Sequence, residues 1–144
     1  MGIGFVARGN NIYDGDYVVA EGKVIENGMF VELTTTAEAK TAAPCGAEAT
    51  KVPVFVVCAN DVDDVEAINT EDVKFEEGDA IRWHRVLPGE MVVTSLFDEG
   101  LAVGAACHAG ANGKLTAGEG KQNFVVKLVD VQGGVNVVYA EAQD

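Results

Sequence analysis

Residues 124–140 read Phe124-Val125-Val126-Lys127-Leu128-Val129-Asp130-Val131-Gln132-Gly133-Gly134-Val135-Asn136-Val137-Val138-Tyr139-Ala140. Two Val-rich runs, 124–131 and 135–140, flank a Gly-Gly pair. β-Branched side chains suit a pleated, half-buried surface. Gly-Gly supplies the positive φ angles that two-residue hairpin turns need. The stretch predicts an antiparallel hairpin that closes the chain. The same chemistry runs through the rest: 23 Val against 6 Leu and 5 Ile, with 19 Ala and 17 Gly in 144 residues. Leu is the usual residue of helix cores, so this balance predicts a mostly β protein with many turns and argues against a helix bundle. The length is that of one ordinary domain.

Further strands are predicted at 17–20, 23–25, 29–33, 52–59, 80–87, 91–97, 101–107 and 114–116. Asn27-Gly28 and Asn112-Gly113 are hairpin signals, because type I′ turns need positive φ at both central residues. Asp14-Gly15, Glu21-Gly22, Pro88-Gly89 and Gly100 mark other turns. The expected fold is a single compact β-barrel or sandwich of eight to ten short antiparallel strands. Residues 1–13 form an N-terminal arm or edge strand, and 14–144 the β domain. Residues 34–51 contain no large apolar side chain after Thr34 and read as a long surface loop. The second long loop, 60–79, carries nine carboxylates and one Lys. A weak internal echo pairs 24–31 with 96–103 and Phe55-Val56-Val57 with Phe124-Val125-Val126. Two half-barrels related by duplication would explain it, and so would chance similarity among Val-rich strands.

Charge and targeting exclude several roles. Acidic residues number 23 and basic ones 10, a formal net of −13. Such a surface repels nucleic acid and anionic membranes. No apolar run approaches the ~20 residues of a membrane span. Met1-Gly2-Ile3-Gly4-Phe5-Val6 lacks the basic and apolar regions of a signal peptide, and Val6 replaces the Ser or Thr of a myristoylation signal. Cys45, Cys58 and Cys107 are odd in number and widely spaced, which predicts a reducing compartment.

Catalytic and metal-binding constellations are not predicted. Cys107 and His108 are adjacent, so on a strand they point to opposite faces, a poor geometry for a catalytic pair. Zinc would need four ligands at tight spacing. Asp61, Asp63, Asp64 and Glu66 crowd together. Counted from Asp61, however, an EF-hand loop would place Glu66 where Gly is required, leaving a solvated acidic loop or a fortuitous divalent site. Gly2-Ile3-Gly4 and Gly118-Glu119-Gly120 lack the context of a phosphate loop. No cofactor is expected.

One cluster stands out. Arg82-Trp83-His84-Arg85 gathers two of the three Arg residues, the only Trp and one of two His. On a strand, Arg82 and His84 share one face, Trp83 and Arg85 the other. Two roles fit. Trp83 is a core residue and the Arg side chains neutralise carboxylates such as Glu76, Glu77 and Asp79, or the cluster is a partner contact, since Trp and Arg are enriched at interface hot spots. A second candidate contact lies in the arm, where Ile3, Phe5, Val6 and Arg8 sit among Gly2, Gly4 and Gly9. Such an arm could add its backbone to a partner's sheet edge.

The entries Gly28-Met29-Phe30-Val31 and Gly100-Leu101-Ala102-Val103-Gly104, and the tract Gly113-Lys114-Leu115-Thr116-Ala117-Gly118-Glu119-Gly120 before a closing hairpin, give the chain a pattern over 15–142. It resembles the decoration, or cement, proteins of tailed bacteriophages. The resemblance implies a non-enzymatic structural protein on the outer surface of an icosahedral virion, assembled in the host cytoplasm. Its partners would be the major capsid protein at capsomer junctions and copies of itself, as trimers or dimers, without direct nucleic-acid or membrane contact. Two other classes compete: a carbohydrate- or host-binding β module, which would need exposed aromatics among Trp83, Tyr13, Tyr17 and Tyr139, and a small β-barrel hydrolase, for which no site is found.

Overall fold

Val54-Phe55-Val56 has no polar position in it, and the structure shows why. The structure, a computed structural model, describes residues 4–8, 12–13, 17–46, 51–57 and 74–143. In it these three residues lie on a strand covered on both faces, and all three are buried. Phe55 points into one core with Phe30, Phe124 and Val126. Val54 and Val56 point into another with Val31, Ile81 and Trp83. A strand with polar neighbours on one side would alternate; one between two cores cannot.

The architecture is mostly β, with no α-helix among the described residues. The first sheet has the order β1-β10-β14-β13-β11-β12, formed by β1 (Gly4–Arg8), β10 (Met91–Thr94), β14 (Val135–Ala142), β13 (Asn123–Gln132), β11 (Ala106–Ala109) and β12 (Leu115–Ala117). The second has the order β2-β9-β7-β5-β6-β3, formed by β2 (Ile12–Tyr13), β9 (Arg82–Arg85), β7 (Val54–Val57), β5 (Phe30–Thr35), β6 (Lys40–Pro44) and β3 (Val18–Val19). A two-stranded piece, β4 (Val24–Glu26) with β8 (Lys74–Glu76), supplies Ile25 and Phe75 to the second core. Pairing is antiparallel except for β3 with β6. The main core lies between the two six-stranded sheets, which gives the sandwich-like arrangement expected from the Val excess.

Phe30 joins the sheets. Its ring lies 4.9 Å from that of Phe55 on its own sheet and 5.3 Å from that of Phe124 on the other, both tilted. Thr94 adds a polar stitch: its hydroxyl donates to the Gly28 carbonyl at 2.7 Å and accepts from the Leu96 amide at 3.0 Å.

Several expectations change. Residues 34–46 are not a surface loop: β5 runs on to Thr35 and pairs with β6 from Val31↔Pro44 to Thr35↔Lys40. Ladder hydrogen bonds do not need large side chains, and the hydroxyl of Thr36 closes the tip by accepting from the Glu38 and Ala39 amides. Asn27-Gly28 does not make a hairpin. Only Gly28 takes positive φ, 87°, and β4 on one side pairs with β8, not β5. The turn redirects the chain so that the Gly28 amide donates to Val56. Asn112-Gly113 does behave as read: both φ values are positive, 60° and 72°, and β11 pairs with β12 across them. Residues 101–105 turn at Val103-Gly104 instead of extending, with the Ala105 amide donating to Ala102. Because 29–33 is mostly strand where 101–105 is not, the internal echo does not map onto matching elements.

Of the two expectations for residues 1–13, the described pieces are strands on the chain's own sheets. β1 pairs with β10, Phe5↔Val93 and Val6↔Val92, and β2 pairs with β9. β1 and β2 each lie at an edge of their sheet, so one backbone edge of each is paired within the chain. Most of the acidic loop lies outside the described residues, including Asp61, Asp63, Asp64 and Glu66; its end, 74–79, is β8 and a turn.

Gly113 offers a sharp test of the packing. A Cβ there would lie 2.1 Å from Met29 Cγ and 2.6 Å from the Phe30 carbonyl oxygen, on a residue already at positive φ. Gly113→Ala is therefore expected to destabilise the fold by more than ~1 kcal/mol in denaturant titration, whereas Gly22→Ala, with open space around it, should show only the backbone effect.

Candidate functional site

The Arg82–Arg85 strand comes first, since the sequence singles it out. β9 is an interior strand. Val56 and Val57 pair with Trp83 and Arg82 on one side, and Ile12 pairs with Arg85 on the other. Trp83 is only 5% exposed and belongs to the second core. Tyr17 meets it edge-on, centroids 5.8 Å apart at 80°. The Arg85 guanidinium lies 5.8 Å from the Trp83 ring and the Lys40 ammonium 5.7 Å from the Tyr17 ring. The result is a row, Lys40-Tyr17-Trp83-Arg85, in which each cation meets the negative face of a ring, worth ~0.5–1 kcal/mol per contact at such sites. The indole N–H of Trp83 is buried without a hydrogen-bond partner.

This corrects the contact reading of Trp83: its ring is in the core, so it is not a partner-facing anchor. Arg82 is exposed, while His84 and Arg85 are half-buried. Two of the carboxylates expected to answer the Arg residues accept hydrogen bonds from turn amides. Glu77 accepts from the Gly22 amide at 3.0 Å, and Asp79 accepts from the Glu76 amide at 2.8 Å. Phe5, Val6 and Arg8 lie on β1 in the first sheet, and Arg82–Arg85 on β9 in the second, so the two candidate contacts do not share a sheet. Ile3 lies outside the described residues.

Cys45 and Cys107 are buried, and Cys58 lies outside the described residues. Cys107 sits in the main core and His108, next on β11, on the opposite side. Burial pushes the Cys107 thiol up to about 11. Cys45 is also pushed up to about 11, first by burial and then by the Glu32 charge, against a lowering hydrogen bond from the Gly113 backbone. Its thiol donates to the Gly110 carbonyl at 3.0 Å. His108 is wedged among glycines: a Cβ on Gly120 would lie 2.4 Å from Nδ1, and one on Gly110 3.3 Å from Cε1. The Gly118-Glu119-Gly120 tract, which looks like a failed phosphate loop in sequence, makes room for this ring. Among the described residues no group of three His, Cys, Asp or Glu side chains could hold a metal ion.

The surface feature that sequence reasoning missed is the distal half of β13. The proximal half, Phe124 and Val126, is buried. A bulge follows, between Val126 and Leu128. Beyond it Leu128, Val129 and Val131 are 45%, 42% and 58% exposed. β11 reaches only Val125, and Ala105 and Gly104 take up Val126, so 127–132 pair with β14 alone. On its other side β14 pairs with β10 from Val138 onward. Residues 128–137 are therefore a two-stranded ribbon that outruns both neighbours. The Val-rich run reads as one strand, and nothing in its alternation marks where the covering strands stop.

No protein-family model, no curated protein and no solved structure matches this chain.

Two measurements follow. Trp83 is the only Trp, so native fluorescence should be blue-shifted and move red on unfolding. Trp83→Ala should cost ~3–5 kcal/mol, and Arg85→Ala should leave cooperative unfolding nearly unchanged. The thiols give a pH signature. Both have folded values raised from 9.0 to about 11, so between those pH values the folded state keeps protons that the unfolded state has released. Stability present below pH 9 should fall as pH rises through that window. In a Cys58→Ser background, thermal melts should show this fall, and Cys45→Ala with Cys107→Ala should flatten it.

Proposed function

We propose that this chain is a non-enzymatic structural virion protein that binds the outer surface of an icosahedral phage capsid at capsomer junctions and stabilises the shell. Its partners are the major capsid protein and copies of itself. The observation that carries this reading is the division of side chains between inside and outside. Cys45, Cys107 and Trp83 are in the cores, while apolar Leu128, Val129 and Val131 are displayed on a projecting ribbon. Exposed apolar side chains on an otherwise charged protein, here Val129 and Val131 on one face and Leu128 on the other, mark an interaction surface. A net charge of −13 keeps copies apart in solution except where such a neutral surface meets its partner.

A glycan-binding module draws less support. Sugar stacking needs an open aromatic face, yet Trp83 is in the core. Tyr17 and Tyr139 are half-buried, with hydroxyls held by Thr35 at 2.8 Å and Gln132 at 2.6 Å.

The test is cosedimentation of the purified chain with shells assembled from the major capsid protein of the same genome, followed by electron microscopy. Saturable binding, density on the outer surface and a raised shell melting temperature are expected. Failure to sediment with shells, or density on the inner surface, would overturn the proposal.

A further inference from the structure

Hydrogen bonding alternates along an antiparallel strand, so the direction of each peptide in the ribbon can be assigned. Val126 directs its amide to Ala105 and its carbonyl to Gly104. Gln132 and Val135 flank the two-residue turn and form a narrow, hydrogen-bonded pair. Counting back from Gln132, Asp130 and Leu128 also bond to β14. Val129 and Val131 therefore turn their amides and carbonyls outward, on the edge that β11 does not reach. The Val131 amide confirms the direction: its partner is the neighbouring Asp130 carboxylate, at 2.8 Å, and not a strand. Natural edges are blunted by charge, Pro or short length. Here three exposed apolar side chains remain on the open edge strand.

We propose that residues 127–132 are a self-complementary docking edge, on which a second copy of this chain pairs antiparallel across a two-fold axis at Val129. This rests on reading the chain as an assembly protein, and it names how two copies meet. Facing residues in such a pair must lie on the same face, which leaves few registers. Centring on Asp130 sets that carboxylate opposite itself, and like charges directly opposite are destabilising. Centring on Leu128 needs the edge at Val126, which Ala105 and Gly104 already occupy, and centring on Val131 sets Val129 opposite Gly133, which is in the turn at φ 57°. Centring on Val129 makes Val129 and its copy a narrow pair exchanging two backbone hydrogen bonds. The bulge puts Lys127 on the face away from Val131, so the matched ladder across the two-fold runs from Leu128 to Asp130.

The charges fit that register. The bulge turns Lys127 toward the face of Glu141, 3.8 Å away. Asp130 lies on that same face, opposite Val137, two alternations from Glu141 along β14. Across the two-fold, Leu128 faces Asp130 of the other copy, and Lys127, beside Leu128 on the same face, is within a lysine's reach of that carboxylate. The pair forms twice. On the opposite face, Val129 and Val131 of both copies make one apolar strip. The edge segment is itself neutral, one Lys and one Asp, within a chain of net charge −13, so two copies meet where their repulsion is weakest.

The test uses the purified full chain without shells, in sedimentation velocity over a dilution series. The wild type should show a concentration-dependent monomer–dimer equilibrium. Val129→Pro removes an outward amide and leaves the β14 ladder bonds in place, so it should give a cooperatively folded monomer. Lys127→Asp and Asp130→Lys, each alone, should weaken the dimer about tenfold, and the two together should restore it. A wild type that stays monomeric, a Val129→Pro variant that dimerises unchanged, or a double reversal that fails to restore association would each overturn the proposal. Shell binding is read separately: a dimer that ignores shells sinks the functional proposal alone, and a monomer that decorates them sinks only this edge.

Discussion

The fold depends on one contact, the Phe30 ring held between Phe55 and Phe124. Phe55 is its neighbour within the second sheet and Phe124 comes from the first, so this triple ties two separately paired sheets into one core. Aromatic rings bury a large area in few residues, which matters in a chain whose other core side chains are mostly Val and Ala. Around the triple the packing is tight enough to constrain backbone. Gly113 has no space for a Cβ because Met29 and Phe30 are there, and the Cys45 amide donates to the Phe30 carbonyl at 3.1 Å. The β11–β12 turn, β6 and β5 thus converge on one residue.

Burial of reactive groups is a consequence of that economy. With few Leu and Ile to fill volume, small residues such as Cys45, Cys107, Ala109 and Ala140 complete the core. Cysteine placed so behaves as a small apolar residue with a raised pKa, and its neighbour His108 is turned away. Trp83 plays the equivalent part in the second core and carries Arg85 and, through Tyr17, Lys40 over aromatic faces. Basic side chains are scarce in this acidic protein, and at least these two are held against rings.

The sheets end unevenly, and that unevenness creates the surface with most apparent purpose. β13 and β14 are the longest strands, 10 and 8 residues, while the β10 and β11 that flank them have 4 each. Where β13 exceeds its neighbour's length Leu128, Val129 and Val131 are exposed, while Val137 opposite stays buried against Val93. A Val-rich strand of core composition then becomes an exposed apolar ribbon simply by running on.

Sequence alone determined the β class, the closing hairpin at Gly133-Gly134 and the Asn112-Gly113 turn, because β-branched content and positive-φ requirements are local properties of the chain. It also left Trp83 open between core and contact. Tertiary structure decided that question by covering the ring with Tyr17 and the Val56 strand. It decided too that Asn27-Gly28 redirects the chain to β7, that the Ala/Thr tract 34–46 is a paired hairpin, and that the second half of β13 is bare. Each of these turns on which strand lies alongside. Backbone pairing is chosen by partners far away in sequence, and a residue's own alternation carries no record of where its neighbour strand ends.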